Sequence, residues 1–225
     1  MTVGLLLIAT GRYDIFLQPL LESVDKYFFP NDDVQVYLFT DKKIKSETIT
    51  IFPVKHLPFP YPTLYRYKFF TTYAGAIKTD YLFYMDVDMM IVDYVGKEIL
   101  GDLVAVRHPG YYRGGWGDSG TIKQSLAYVP VPQRRGYYAG GFQGGRRDDY
   151  LSAALEMAHN IDIDKSNGIV ATWHDESHWN KYLTSHPFKE LTPSYCFPQA
   201  PWAINVPFEP RILALAKNHK KIRSC

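Results

Sequence analysis

Two carboxylates separated by one residue, Asp86 and Asp88, stand at the end of the run Tyr81-Leu82-Phe83-Tyr84-Met85. An apolar run this dense is built for burial as a strand, and its end delivers both side chains to the rim of a sheet. Paired anionic oxygens at such a rim suit a divalent cation, and the cation in turn suits a diphosphate. Asp-x-Asp is also a common surface turn, so the residues further along decide between the two readings.

A second crowd of reactive groups is Trp173-His174-Asp175-Glu176-Ser177-His178-Trp179-Asn180-Lys181. His174 and His178 share a helix face if the helix starts early, which invites zinc. A zincin, however, places Glu directly after the first His, and Asp175 holds that position here. The bland alternative is a helix start, with Asp175 as N-cap, Glu176 against the helix dipole and Trp179 in the core. A third stretch, Tyr137-Tyr138-Ala139-Gly140-Gly141-Phe142-Gln143-Gly144-Gly145, places four glycines around a strand. They let a ligand approach the backbone closely, or make a bulge and a helix cap. The stretch has neither dinucleotide-fingerprint spacing nor the Lys-Ser/Thr of a P-loop. Last comes a basic tail with Lys217, His219 and Arg223, able to close over an anion or to trail loose in solvent.

The elements that must position these groups alternate. Val3 to Ala9 reads as a buried parallel strand ended by Thr10-Gly11. Phe16, Leu17, Leu20, Leu21, Val24 and Tyr27 recur at helical spacing and predict a helix of about four turns. Val34 to Thr40 is a second strand ending at Asp41, and Thr48 to His56 a third, broken by Pro53. Tyr61 to Lys78 reads as helical, Tyr81 to Asp86 and Met89 to Val92 as strands, and Leu103 to Val106 as a further short strand. Strands alternating with helices predict an α/β domain with a mainly parallel central sheet flanked by helices. Ligands bind such sheets at the carboxyl ends of strands, where Thr10, Asp41, Asp86 and Asp88 all fall. His108 to Gly145, rich in Gly and Tyr, reads as a substrate loop on the rim. Helical spacing resumes from Tyr150 to Ala158 and again from Asp175 to Leu183.

With 225 residues the chain can bury a real core, and one domain with a C-terminal extension is expected. The net charge of +2 gives no basic field for nucleic acid, so no nucleic-acid partner is expected. Two cysteines, Cys196 and the terminal Cys225, are too few for a disulfide framework and allow a reducing compartment. Val3 to Ala9 is too short to span a membrane, and no basic start or small-residue cleavage site precedes it. A cytoplasmic location without a membrane anchor in this chain is therefore expected.

In order, Phe39-Thr40-Asp41, Tyr84 to Met89, Asp93 to Ile99, His108 to Tyr112, Tyr137 to Gly145, Ala171 to Leu183 and Lys217-Asn218-His219 resemble the retaining glycosyltransferases of family 6. That family includes the histo-blood group A and B transferases and the α-1,3-galactosyltransferase. The resemblance covers essentially the whole chain, and the Trp-His-Asp-Glu-Ser-His block together with Asp-Val-Asp is its most specific part. It implies a GT-A type fold, with a nucleotide-sugar-binding half over about residues 1–100, an acceptor and catalytic half over 101–215 and a flexible tail over 216–225. It also implies a UDP-sugar donor, Mn²⁺ (or Mg²⁺ or another divalent cation), and an α-1,3 bond to a terminal β-galactoside, fucosylated or not.

Carried over residue by residue, the resemblance assigns Asp86 and Asp88 to the metal and diphosphate, with Val87 between them. Ala9, Thr10 and Tyr13 fall on uridine contacts, and Arg66 approaches the Asp-x-Asp and the donor sugar. Gly140 and Gly141 fall beside the donor sugar; Gly at the second position accompanies GalNAc over Gal, because it leaves room for the N-acetyl group. Asp175 falls on a donor-sugar contact, His108 and Trp173 on acceptor contacts, and Glu176 on the catalytic carboxylate at the acceptor side. Lys217, His219 and Arg223 match a tail that orders over the diphosphate. The sequence shows no counterpart of the cytoplasmic tail, anchor and stem of mammalian members, so a compact member of the bacterial or phage type is expected. Many bacterial relatives carry Asn-x-Asn and work without metal, whereas Asp86 and Asp88 favour metal dependence. Two rival readings use the same residues: a nucleotide-sugar hydrolase with water as acceptor, and a carbohydrate-binding module that uses the aromatic loop without turnover.

Overall fold

A computed structural model describes residues 1–116 and 122–223. In chain order its regular elements are β1 (Thr2–Ala9), α1 (Leu17–Tyr27), β2 (Asp33–Thr40), β3 (Ile49–Pro53), α2 (Tyr61–Leu64), α3 (Arg66–Thr72), β4 (Tyr81–Asp86) and β5 (Met89–Ile91). There follow β6 (Leu103–Arg107), β7 (Tyr138–Arg146), α4 (Arg147–Ser166), α5 (His174–Leu183), β8 (Lys189–Leu191), β9 (Phe197–Pro198), β10 (Ile212–Ala214) and α6 (His219–Arg223). Among the described residues no helix is long and apolar enough to cross a membrane.

Seven strands form the central sheet in the order β3-β2-β1-β4-β7-β6-β8. The pairings β3–β2, β2–β1, β1–β4 and β6–β8 are parallel, and β7 runs antiparallel to both of its neighbours. This is the mainly parallel, helix-flanked α/β sheet expected. The near-continuous apolar run of β1 has its reason in the packing: Leu5 and Leu7 face the α1 side, while Leu6 and Ile8 face α3 and α4. Each such buried Leu or Ile stabilises the fold by about 1.5–3 kcal/mol. A small second sheet, β5-β10-β9, begins right after the Asp86-Val87-Asp88 turn. The chain therefore folds over between the two sheets at the acidic pair, and Leu215 N–H donates to the Asp88 carbonyl at 3.0 Å.

Three expectations are corrected. The four-turn helix starts later, because Gly11–Phe16 forms a 3₁₀ helix and only Leu17–Tyr27 is α-helical. The expected rim loop from His108 to Gly145 ends in a central strand, β7, buried over Tyr138–Gly145. The remaining segment of that loop includes residues 117–121, which lie outside the described residues. The tail, expected to be mobile without ligand, is folded as α6 against the Gly11–Phe16 3₁₀ helix.

The glycines in β7 explain both its burial and its shape. Ala105 pairs with Gln143 but Val106 pairs with Ala139, so Gly140 and Gly141 leave the ladder as a bulge. Further along, β7 lies so close to β4 that a Cβ at Gly144 would sit 2.3 Å from the Leu82 carbonyl oxygen and 2.5 Å from Phe83 Cδ1. Gly144→Ala is therefore expected to lower stability by about 1–3 kcal/mol in urea unfolding. Gly75→Ala, at a position with nothing within 4 Å of the added atom, serves as a neutral control.

Candidate active site

A cleft of about 460 Å³ opens at the carboxyl ends of the parallel strands. Thr10 and Tyr13 line it just beyond β1, Arg66 from the start of α3, and Asp86, Val87 and Asp88 from the β4–β5 turn. The fold thus gathers these residues from separate parts of the chain, as the strand-end rule for parallel sheets anticipates. Ala9 is fully buried in β1 and does not reach the cleft wall, so its side chain offers nothing to a ligand there. Gly11 N–H donates to Asp41 Oδ1 at 2.9 Å, which ties the ends of β1 and β2 together at the cleft floor.

The tail supplies the cleft's other wall through Lys217, His219 and Arg223. Arg12 Nη1 donates to the Lys221 carbonyl at 2.9 Å, Arg223 Nε to the Tyr13 hydroxyl at 3.4 Å, and the Arg223 guanidinium stacks 3.6 Å above the Phe59 ring. Cations and N–H donors thus surround a cavity whose floor is acidic, which suits a doubly charged anion held above a metal ion.

The acidic pair is asymmetric. Asp88 is buried, and burial first, then the neighbouring Asp86 charge, pushes its carboxyl above the usual range; Lys217 opposes this. Lys217 Nζ makes an ion pair with Asp88 Oδ2. A buried carboxylate that already draws a cation in this way fits a divalent ion, and so does an all-oxygen donor pair. Among the described residues no group of three or more His, Cys, Asp or Glu side chains converges on a metal position. An ion at Asp86 and Asp88 would take its remaining ligands from water and phosphate oxygens.

Beneath the cleft lies the buried guanidinium of Arg66. Its Nη2 donates to Asp86 Oδ1 at 3.3 Å and its Nη1 to the Gly140 carbonyl at 2.7 Å. Its Nε lies 3.1 Å from Asp175 Oδ2. It stacks on Tyr84, 4.1 Å from the ring centroid, and the Tyr84 hydroxyl donates to Asp86 Oδ1. The bulge in β7 makes this possible, because it frees Gly140 from the ladder. A Cβ at Gly140 would sit 3.1 Å from Glu176 Cβ and 3.3 Å from Asp175 Oδ2.

At the start of α5, Asp175 is buried and Glu176 is half-buried. Asp175 is not the N-cap: Trp173 holds that position, and Asp175 turns inward to Arg66. Burial pushes its carboxyl up to about 7, against the opposing Arg66 charge. Among the described residues nothing donates a hydrogen bond to Asp175 Oδ2, because its contact with Arg66 is an unaligned ion pair. A buried acceptor in this state retains hydrogen-bonding capacity that no donor among the described residues uses. Glu176 is held at both oxygens: the Tyr137 hydroxyl donates to Oε1 at 2.5 Å and Gly140 N–H to Oε2 at 2.7 Å. Burial raises its carboxyl above the usual range, while these two donors pull the other way.

His108 packs edge-on against Tyr137, with ring centroids 5.5 Å apart, and its Nδ1 accepts from Gly110 N–H at 3.0 Å. Burial pushes it down to about 4, so it is neutral near pH 7. Trp173 presents a half-exposed indole at the head of α5. His174 and His178 diverge: His174 packs on Phe59, whereas His178 Nε2 lies 3.5 Å from Asp164 Oδ2. At Gly141 a Cβ would meet Met89 Cε at 2.4 Å and Asp86 Oδ2 at 3.1 Å, so glycine is what lets Asp86 lie against β7.

Several polar partners were not singled out from the sequence. Gln143 accepts from the Tyr67 hydroxyl at 3.0 Å and donates to the Gly140 carbonyl at 3.0 Å. Asn180 brackets the Tyr138 peptide, accepting from its N–H at 2.8 Å and donating to its carbonyl at 2.7 Å. A lone Gln inside a buried Gly-rich strand was the available signal for the first. Nothing local flagged Tyr84, Tyr137 or Asn180.

Comparison with known proteins accords with this geometry. Residues 1–61 and 63–224 match Glycosyltransferase family 6. Over 243 residues the chain is 34% identical to Histo-blood group ABO system transferase 1 of Rattus norvegicus, a match covering 99% of this chain and 69% of that protein. It is 33% identical over 220 residues to Globoside alpha-1,3-N-acetylgalactosaminyltransferase 1 of Canis lupus familiaris, covering 89% and 63%. With Alpha-1,3-galactosyltransferase 2 of Homo sapiens the identity is 26% over 256 residues, covering 100% and 71%. Matched by the family model over nearly its whole length, and by a relative 34% identical across 99% of it, the chain belongs to glycosyltransferase family 6.

Proposed function

We propose that this enzyme transfers GalNAc, in preference to Gal, from its UDP conjugate to a terminal β-galactoside, forming an α-1,3 bond with retention and requiring Mn²⁺ or another divalent ion at Asp86 and Asp88. The observation that carries this reading is the Arg66 bridge, which couples the acidic rim of the cleft to Asp175 and, through Gly140, to Glu176. A glycosyl transfer needs that coupling, because charge of opposite sign develops on the two sides at once. As the bond from the anomeric carbon to the diphosphate oxygen breaks, the carbon becomes positive and the diphosphate gains negative charge. Lys217, His219 and Arg223 stand where that anion would lie. A bound divalent ion would supply further neutralisation of the leaving group.

Glu176 faces the sugar from the other side and stabilises the positive anomeric carbon, as a nucleophile or as a counter-charge. Its anchors on Tyr137 and Gly140 hold it in place without neutralising it. Asp175, with an oxygen open to donors, takes a donor-sugar hydroxyl. Thr10 and Tyr13 face the uridine. His108, Trp173 and the aromatic residues around Tyr137 receive the acceptor galactoside. The preference for GalNAc rests on Gly141, and on relatives whose names carry N-acetylgalactosaminyl transfer.

The test of the reading is product formation from UDP-GalNAc and UDP-Gal with lactose or 2′-fucosyllactose. An α-linked product, faster from UDP-GalNAc and lost in EDTA, is expected. UDP release without glycoside would instead indicate a hydrolase. Glu176→Gln is expected to lower transfer by about 10³-fold or more while leaving UDP affinity, read by calorimetry, nearly unchanged. The donor kcat/KM is expected to rise with pH through about 7, because Asp175 must lose its proton to accept from the sugar and burial holds its carboxyl near that value. A donor kcat/KM flat from about pH 5.5 to about 8 would remove Asp175 from that role.

A further inference from the structure

Away from the cleft, a buried acid joins three segments that the mechanism does not use. Asp164 lies in the last turn of α4, where a negative charge opposes the helix dipole, and it is almost wholly buried. Both penalties are met from other parts of the chain. Ser125 Oγ donates to Asp164 Oδ2 at 2.5 Å, Leu126 N–H donates to Oδ1 at 2.9 Å, and His178 Nε2 stands 3.5 Å from Oδ2. Ser125 is fixed in turn, its Oγ accepting from Ala127 N–H at 3.0 Å. Burial keeps His178 neutral, pushed down to about 4 with Asp164 opposing, so one imidazole N–H is available to the carboxylate.

The clamped segment leads to the acceptor side. Val129 packs with Trp116 on Tyr137, and Trp116 meets the Tyr137 ring edge-on at 5.4 Å. Tyr111 and His108 close the same aromatic group, at 5.2 and 5.5 Å from Tyr137. His178 meanwhile sits on α5, two residues beyond Glu176. Glu176 keeps an anchor independent of this wall, the Gly140 amide.

We infer that Asp164 is a positioning residue for the acceptor: it fastens the Ser125–Val129 segment to α5 and so sets the aromatic wall around Tyr137 against which the acceptor sugar lies. The inference rests on the acceptor reading proposed above. Its output is specific, because the donor cleft shares none of these residues.

The test uses Asp164→Asn and Ser125→Ala in the full chain, with UDP-GalNAc and lactose. Each variant is expected to raise the lactose KM by about three- to tenfold, the effect of one buried hydrogen bond, with the UDP-GalNAc KM and the rate of donor hydrolysis within about twofold of wild type. A loss of folded enzyme would lower transfer and hydrolysis in the same proportion with both KM values unchanged, and that result would overturn the inference, as would wild-type lactose kinetics in both variants. If Asp164→Asn is insoluble, Ser125→Ala decides alone, since it removes one hydroxyl and leaves the carboxylate in place. A wild type that forms no glycoside with lactose or 2′-fucosyllactose sinks the proposed function and this inference with it; a wild type that transfers normally beside unaffected variants sinks the inference only.

Discussion

A guanidinium as deeply buried as that of Arg66 is tolerable only if carboxylates and carbonyls replace its water, and the architecture of the site follows from that demand. Its side chain is 3% exposed, and it must reach Asp86, Asp175 and the Gly140 carbonyl at once. Those three come from a parallel strand end, a helix start and an antiparallel bulge. None could meet a common point unless β4 and β7 were neighbours and α5 docked over the bulge. Removing one partner of such a buried cluster costs about 3–5 kcal/mol, so the arginine stabilises the fold as well as joining the two sides of the site.

The placement explains why the proposed reacting centre sits where it does. On one side of Arg66 the acidic turn and the tail cations face an open cleft suited to a diphosphate. On the other, Asp175 is withdrawn from solvent and Glu176 partly so, and desolvation raises both carboxyls and sharpens their interaction with any positive charge that forms beside them. Planar geometry matters here: separate N–H directions serve Asp86, the Gly140 carbonyl and the Thr63 carbonyl while the charge lies against Asp175, which an ammonium on a flexible stem does not reproduce. The glycines of β7 complete the device, since a side chain at Gly140 would crowd Asp175 and Glu176, and one at Gly141 would crowd Met89 and Asp86.

What the sequence disclosed and what it hid follow the range of the interactions. The apolar run before Asp86 announced a buried strand, because period and composition are local properties. Strand-end logic gathered Thr10, Asp41, Asp86 and Asp88 into one rim, and all of them but Asp41 line the cleft. The bland alternative of Asp175 as a cap does not hold, although the residue type suits one; the helix instead starts from Trp173, with His174 at φ +55°, and turns the carboxylate inward. Tyr137 and Asn180 acquire their roles only when β7 and α5 pack together, 36 or more residues apart in the chain. Arg66 had no local signal either, and the likeness to family 6 alone pointed to it. The bulge at Gly140 was one of two readings of the glycines, and it is the one the strand pairing bears out, with Asp175 and Glu176 packed close to the bulged backbone.

The central claim is that Arg66 couples the diphosphate side to the sugar side, and Arg66→Lys tests it most directly by keeping the charge while removing the fork. The measurement pairs UDP affinity by calorimetry with the rate of transfer from saturating UDP-GalNAc. The account predicts UDP affinity within about threefold of wild type and transfer reduced by about 100-fold or more, since orientation across the bridge is lost while the cleft remains. Transfer within about threefold of wild type would contradict it.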